Sequence, residues 1–505
     1  MIKDIFKKNI KIIVLMIVFS IIYVYRMFAI RPWYDELYTY YSFISRGPVY
    51  AGIHWPLPNN HVGYSVLSAC LIIFNSPVIA LRGVSFIASV LNIYLVYAFA
   101  NKLLNLTDVE AKAKEAYGIF ASVAYATVNI VHVLSVQGRG YSLSTSCFLV
   151  SMIVLINICM NEDVPKYNYV LYIFSLFLGI YLVPSSTFWV IPVCITGGVF
   201  LLINKKIKLL IKLILVSGVA ALMDLFMYAV IWLAIGSNLL SKSADSPYYG
   251  VYQVNIIKAS PFGAMKAGID YMMASPYIQS IPRKDVIGGM WNYLEALFTQ
   301  FYPRMGIVLI IFLCVVAVVC LIKFIKDKEA FLELFLAIQI IMLPLMMIIQ
   351  SKAPYLRVYT FFGVVVSLSL LYTIRLLKIG KYPTYILALL MFVLVFTGSY
   401  NGSLGEREDN ICDALISMQD NGYQVEDIDT IFYVDDYQKY ILKYYYDIEP
   451  TEVPITEANY VMVPDESMNG EWPLFYTEDA FDREYIKDNY KEISKNYRYT
   501  IYRRF

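Results

Sequence analysis

The sequence predicts an all-α polytopic membrane domain over residues 1–400, followed by a small extracytoplasmic α/β domain over 401–505. Three observations carry this. Of the 505 residues, 59% are hydrophobic and only 16% charged, with a mean hydropathy of +0.58, which is too apolar for a soluble chain of this size. Apolar runs of membrane-spanning length recur along the first four hundred residues. The net charge of +2 also hides a division: residues 1–400 hold 31 of the 41 Lys/Arg and 16 of the 39 Asp/Glu, leaving 10 and 23 in the tail. The sizeable polar segment is therefore acidic, which excludes a nucleic-acid partner. Six of the seven cysteines sit in apolar runs, only Cys412 lies in the tail, and there is no CxxC pair. Neither a disulfide framework nor a cysteine zinc site is available.

The first apolar run, 9–30, follows Lys3, Lys7, Lys8 and Lys11. It is long enough to cross about 30 Å of hydrocarbon and lacks a small-residue cleavage site, so it reads as an uncleaved first helix with a cytoplasmic N-terminus. Further runs near 81–103, 117–136, 140–160, 169–184, 186–204, 208–236, 304–324, 330–350, 356–376 and 383–400 bring the expected number of spans to about eleven. An odd number puts the tail outside. The charges agree with this orientation. Lys102, Lys112 and Lys114, then Lys166, then Lys205, Lys206, Lys208 and Lys212, then Lys323, Lys326 and Lys328, then Arg375, Lys378 and Lys381 all fall on the inner side, where short loops are enriched in Lys and Arg.

Residues 62–75 (VGYSVLSACLIIFN) are apolar over too short a stretch for a span and suit an interfacial helix within an outer loop, 31–80. Counting them as a crossing would put every later lysine cluster outside. A second outer loop, 237–302, carries Tyr248, Tyr249 and Tyr252 and an amphipathic stretch at Trp291–Phe301; a loop of that length points to function. In the tail, helical patterns at 409–420, 435–446 and 479–489 alternate with β-rich runs at 429–434, 459–463 and 498–503. There is no internal repeat, no Walker A motif and no GxGxxG, which argues against an ATP-driven pump.

Polar residues at the outer membrane face are the candidates for chemistry, because charge near hydrocarbon is costly. Asp35 and Glu36 follow the exit of the first helix among Trp33, Tyr34 and Tyr38. A carboxylate there suits a general base, and equally an interfacial residue beside an aromatic belt. Successive helical residues point about 100° apart, so the two acids do not share one role. Asn59, Asn60 and His61 precede the short helix; His61 suits a metal or a phosphate, while an Asn caps the helix that follows. Gln137-Gly138-Arg139-Gly140-Tyr141 forms a tight outer turn, where glycines permit close backbone approach and Arg139 offers a forked cation for phosphate or simply snorkels. Arg357 lies just inside a late apolar run after Lys352. Asp224, deep in the 208–236 run, reads as a proton relay or as a helix-packing hydrogen bond. His54 and His132 read as isolated imidazoles.

The order WYDELY after the first span, PNNHVGY before the short helix, an arginine at Leu81-Arg82, then QGRGYSL and a late PYLRVY resembles the GT-C glycosyltransferases. Within them it resembles the family-39-like group of protein O-mannosyltransferases and the aminoarabinose transferase of lipid A. The similarity covers about residues 1–400 and lies in the order and sidedness of these stretches. It implies an integral membrane enzyme of the plasma membrane and cell envelope, which passes a sugar from a polyprenyl-phosphate donor to a glycan, lipid or protein acceptor outside. On this resemblance Asp35, with Glu36 beside it, is the base; Arg139 and Arg357 hold the donor phosphate; and Asn60, His61 and Tyr141 line the substrate site. Some relatives place a divalent metal near the first-loop acid, for which this chain carries no clear ligand set. Val62 stands where relatives often have Pro after the histidine, and Gly140 follows Arg139; both departures bear on substrate geometry. A lipid-linked glycan flippase or polymerase, and a polytopic transporter, are the competing classes; the first would carry more cations within the membrane, and the second internal repeats and broken helices.

Overall fold

The computed structural model describes residues 2–53, 60–239, 282–351, 353–396, 406–433, 436–468, 482–496 and 498–505. These form two compact units, one of Met1–Met27 with Phe43–Gly402 and the other of Phe28–Ser42 with Ser403–Phe505.

The larger unit is a helical bundle. Its helices are α1 (Ile2–Ala29), α3 (Pro48–Ile53), α4 (Val62–Cys70), α5 (Pro77–Leu104), α6 (Ala111–Ala126), α7 (Asn129–Val133), α8 (Tyr141–Met160), α9 (Lys166–Leu182), α10 (Thr187–Ile203) and α11 (Ile207–Leu239), continuing with α12 (Arg283–Phe301), α13 (Gly306–Lys326), α14 (Phe331–Gln350), α15 (Phe362–Leu376) and α16 (Lys381–Val393). Among the described residues, eight are long and apolar enough to cross a membrane: α1, α5, α8, α10 together with the 3-10 turn Pro184–Ser186 before it, α11, α13, α14, and α15 together with the 3-10 turn Leu356–Phe361 before it. The protein is thus a mostly helical, multi-pass membrane protein. Three runs counted as spans from the sequence, α6, α9 and α16, are helices of 16, 17 and 13 residues, shorter than these eight.

Polar contacts sort the helix ends of this unit into two sets. At one end Lys11 of α1 pairs with Glu115 of α6 at 2.5 Å, and Glu333 of α14 bonds Lys323 of α13 at 2.7 Å and Arg375 of α15 at 3.0 Å. At this end also, Asn204 after α10 donates to the Lys328 carbonyl at 2.9 Å. At the other end Arg82 of α5 donates to the Met27 carbonyl of α1 at 2.8 Å, so α1 finishes where α5 begins. Helix α12 belongs to this second end: Arg283 meets Ser351 at 3.2 Å, Asn129 reaches the Gln300 carbonyl at 3.3 Å, and Tyr293 donates to the Pro354 carbonyl.

The smaller unit contains α2 (Tyr34–Ser42), α17 (Glu406–Asp420), α18 (Asp436–Tyr446), α19 (Asp465–Met468) and α20 (Arg483–Asn489). Its strands are β1 (Thr430–Tyr433), β2 (Thr451–Glu452), β3 (Tyr460–Pro464), β4 (Tyr490–Lys495) and β5 (Tyr499–Arg504). They form one sheet in the order β2-β1-β3-β5-β4, parallel from β2 to β3 and antiparallel beyond. Strand β3 is buried throughout, and its alternation explains why. Tyr460 and Met462 enter a core with Ile411, Leu415 and Ile441, whereas Val461 and Val463 enter another with Ile486 and Tyr490, as a strand covered on both faces requires. Leu37 of α2 lies in the first of these cores.

Candidate functional site

The stretch that follows α1 falls in the smaller unit, which fixes what its two acids do locally. Glu36 is fully buried, and its Oε2 accepts the Trp33 N–H at 3.2 Å. A carboxylate three residues into a helix that reaches back to the chain before it is half of a capping box. Asp35, one residue earlier, is half-exposed, and its carbonyl accepts the Thr39 hydroxyl at 2.7 Å. The two neighbours therefore meet different surroundings, as their helical offset requires.

The larger unit brings four of the candidate residues together. His61 stands at the N-cap position of α4. Its Nδ1 accepts the Gly140 N–H at 3.1 Å, and its Nε2 lies 3.1 Å from an Arg139 Nη2. Its ring meets Tyr141 edge-on with centroids 5.1 Å apart. Arg357, in the 3-10 turn before α15, donates through Nε to the Tyr141 hydroxyl at 3.3 Å and lies over the Tyr355 ring at 4.6 Å. His61, Arg139 and Tyr141 are buried, while Arg357 is half-exposed. Burial, and after it the nearby Arg139 and Arg357 cations, hold the His61 imidazole well below its usual range, so it is neutral at physiological pH.

Close backbone approach makes this cluster. A Cβ on Gly138 would meet Leu81 atoms at 2.7–2.8 Å, including its carbonyl oxygen. One on Gly140 would meet Val183 at 2.7 Å and His61 Nδ1 at 3.3 Å. A polar stripe on α5 anchors the turn. Ser85 donates to the Arg139 carbonyl at 3.0 Å, Ser89 to the Ser135 carbonyl at 2.8 Å, and Asn92 to the Ser142 carbonyl at 2.8 Å. Sequence reasoning passed over these three residues, although their spacing of four and three within an apolar helix is a visible signal.

Two expectations need correction. Asn60 does not cap α4: His61 holds that position without a side-chain cap, and the Asn60 amide donates instead to the Ala51 carbonyl at 3.2 Å. Asp224 is buried, and among the described residues neither carboxylate oxygen has a hydrogen-bond partner, so the expected helix-packing bond is absent there. His132 is buried against Tyr23 with a ring-centroid distance of 5.9 Å. His54, Asn59, Lys352 and the tyrosines at 248, 249 and 252 lie outside the described residues. Among the described residues, no three His, Cys, Asp or Glu side chains gather as a metal-ligand set.

No protein-family model matches this chain, and no curated protein matches it.

Proposed function

We propose that this chain is an integral membrane glycosyltransferase of the GT-C kind, which moves a sugar from a polyprenyl-phosphate donor to an acceptor hydroxyl on the extracytoplasmic side. The observation that carries this reading is the meeting of His61, Arg139, Tyr141 and Arg357, drawn from three distant stretches of sequence, at the bundle end opposite the Glu333–Lys323–Arg375 cluster. Buried or half-buried cations grouped there suit a phosphate at lipid headgroup level.

In the reaction proposed, the acceptor oxygen bonds to the anomeric carbon as the bond from that carbon to the phosphate oxygen breaks. The lipid phosphate leaves with the electron pair. Arg139 and Arg357 offset the charge that grows on it, an effect realised mainly in the transition state. Asp35 takes the acceptor proton as general base. One displacement gives inversion and needs no covalent intermediate or nucleotide.

The positive-inside rule makes the lysine-rich end cytoplasmic. With α6, α9 and α16 counted as crossings, the chain spans eleven times, with the N-terminus inside and the acidic tail outside. The test is incubation of the purified protein with a panel of polyprenyl-phosphate sugars and acceptor, following release of free lipid phosphate. Release from one donor, dependent on acceptor, is the expected result; no release from any donor removes this reading.

A further inference from the structure

Beside the first turns of α13 lies a cavity of about 600 Å³. Val308 and Phe312 of α13, Leu370 of α15 and Met391 of α16 line it, with Leu394 just after α16 and Arg304 in the turn before α13. Its Arg304 end is the bundle end opposite the Glu333 cluster. Lys323, in the last turn of α13, belongs to that cluster, and Tyr385, near the start of α16, accepts from Lys11 at 3.0 Å, so Arg304, Met391 and Leu394 all lie toward the far end. Phe312 is about 9 Å along α13 from Gly306 at about 1.5 Å per residue, which carries the cavity from headgroup level into hydrocarbon depth. Val308, Ile311 and Val315 on α13 and Leu389, Leu390 and Val393 on α16 are exposed. In a bilayer the cavity therefore opens sideways onto lipid chains.

The cation at this cavity has no protein counter-charge. Among the described residues the exposed Arg304 side chain meets no hydrogen-bond, ion-pair or ring partner. Nor does the turn call for an arginine. Arg304 has φ +66°, a left-handed conformation that glycine and asparagine adopt more readily, and the close approach at the turn belongs to Gly306, where a Cβ would meet the Glu295 carbonyl at 2.6 Å. An apolar slot ending in one uncompensated cation is complementary to a hydrocarbon chain ending in one negative charge. A phosphodiester headgroup carries one such charge, whereas a lipid phosphomonoester carries about 1.5 to 2 at neutral pH, and a zwitterionic headgroup adds a cation that Arg304 repels. We propose that this cavity binds an anionic phospholipid of the bilayer, with one acyl chain lying along α13 between α15 and α16 and the phosphodiester on Arg304. None of the lining residues belongs to the group of His61, Arg139, Tyr141 and Arg357, and the site does not depend on sugar transfer.

The test treats headgroup and chain separately. Phosphatidylglycerol, phosphatidylcholine and farnesyl phosphate are titrated onto the full chain in detergent, and bound lipid is followed by native mass spectrometry and thermal shift. Wild type should prefer phosphatidylglycerol to phosphatidylcholine about fivefold, the scale of one basic residue at an anionic headgroup. Arg304→Asn suits the left-handed backbone, so it should melt at or above wild type while losing that preference; Arg304→Lys keeps the charge and should keep most of it. Val308→Trp fills the slot and should weaken phosphatidylglycerol and phosphatidylcholine together. Equal phosphatidylglycerol affinity in wild type and Arg304→Asn overturns the proposal, as does unchanged affinity in Val308→Trp. Farnesyl phosphate bound more tightly than phosphatidylglycerol, with the same loss in Arg304→Asn, overturns it in favour of a prenyl phosphate. If the substituted chains fail to fold, the unsubstituted chain is irradiated with phosphatidylglycerol that carries a diazirine in its acyl chain. Cross-links should fall within 302–312, at Leu370 or within 391–394; cross-links found only elsewhere overturn the proposal. None of these measurements needs turnover, so lipid bound at Arg304 without sugar transfer would sink the transferase reading alone, and transfer without it would sink this one alone.

Discussion

His61 and Arg139, 78 residues apart in sequence, face each other with Nε2 and Nη2 3.1 Å apart, and the residue after Arg139 donates its backbone N–H to the other nitrogen of the same ring. A turn between two helices and the N-cap residue of a third are thereby locked into one piece. Gly140 is the hinge of that contact, since an added methyl would meet Val183 at 2.7 Å, His61 Nδ1 at 3.3 Å and the Leu182 carbonyl at 3.3 Å.

Gly140→Ala should therefore displace the His61 ring and lower lipid-phosphate release by roughly tenfold or more, the scale expected when a positioning contact moves by about an ångström. Gly289→Ala is the matched control. A Cβ there meets nothing within 4 Å, and a helical Gly→Ala exchange stabilises by roughly 0.5–1 kcal/mol. Steady-state rates and melting temperatures of the two variants check the contrast.

The two acids after the first helix should separate by phenotype. Asp35→Asn is expected to lower transfer by roughly 10²- to 10⁴-fold, the range for loss of a general base, with melting and expression unchanged. Glu36→Ala removes the cap on the Trp33 N–H, which costs about 0.5–2 kcal/mol by analogy with other helix caps. It should appear first as a lower melting temperature. Wild-type turnover by Asp35→Asn would eliminate Asp35 as the base.

For the donor phosphate, Arg357→Ala should raise the donor KM about 10- to 100-fold, as loss of a charge-assisted bond of roughly 1.5–3 kcal/mol implies. Arg357→Lys should recover only part, since lysine keeps the charge without the fork. Arg139→Ala should act similarly, and the double variant should lose less than the product of the singles, because His61 and Tyr141 link both side chains. Full additivity would put the two arginines at separate sites.

How far the sequence reveals this molecule depends on the length scale of each signal. Membrane helices were legible because hydrocarbon demands long apolar runs, and the lysines at their ends are the basis of the expected sidedness. Strands β3 and β5 were legible from β-branched and aromatic residues. Strand β4, YKEISK, was not, because an edge strand that exposes Lys491, Glu492 and Lys495 carries little hydrophobic signal. The grouping of α2 with the tail was also invisible, since Leu37 meets Ile411 and Leu415 only in three dimensions. Within the candidate site, Arg139, Tyr141 and Arg357 stood out as polar residues beside apolar runs. The Asn60 bond to Ala51 did not, because local capping and a bond nine residues back look alike in one dimension.

The depressed His61 imidazole has a consequence for stability. Its folded pKa lies below the unfolded value of about 6.5, so below that pH the unfolded chain binds the extra proton and stability falls as pH falls. Above about pH 7 both states are neutral and the effect vanishes. Melting temperature of the wild type should therefore drop between pH 7 and 5 by more than that of His61→Gln. Parallel curves would mean that His61 is free to protonate in the fold.

The last prediction concerns sidedness, on which the whole proposed chemistry depends. The contact of Arg82 with the Met27 carbonyl puts the end of α1 and the start of α5 at one end of the bundle, so the segment between them, including α4, returns to the side it left. If the opposite, Glu333 end is cytoplasmic, Ser45 and Lys284, both exposed, lie outside, and Lys112 and Lys326, also exposed, lie inside. The exposed native thiols Cys70 and Cys314 are first replaced by Ser. Cys412 is left in place, because burial pushes its thiol up to about 12 and a thiol at that value is a poor nucleophile. Single cysteines at Ser45, Lys284 and, in the tail, the exposed Glu484 should then react with a membrane-impermeant maleimide on intact cells. Cysteines at Lys112 and Lys326 should react only after permeabilisation. Labelling of the Ser45 and Lys284 positions from opposite sides would break the count of crossings between them. His61 and Arg357 would then no longer share a face, and the phosphate site built from them would fall with the topology.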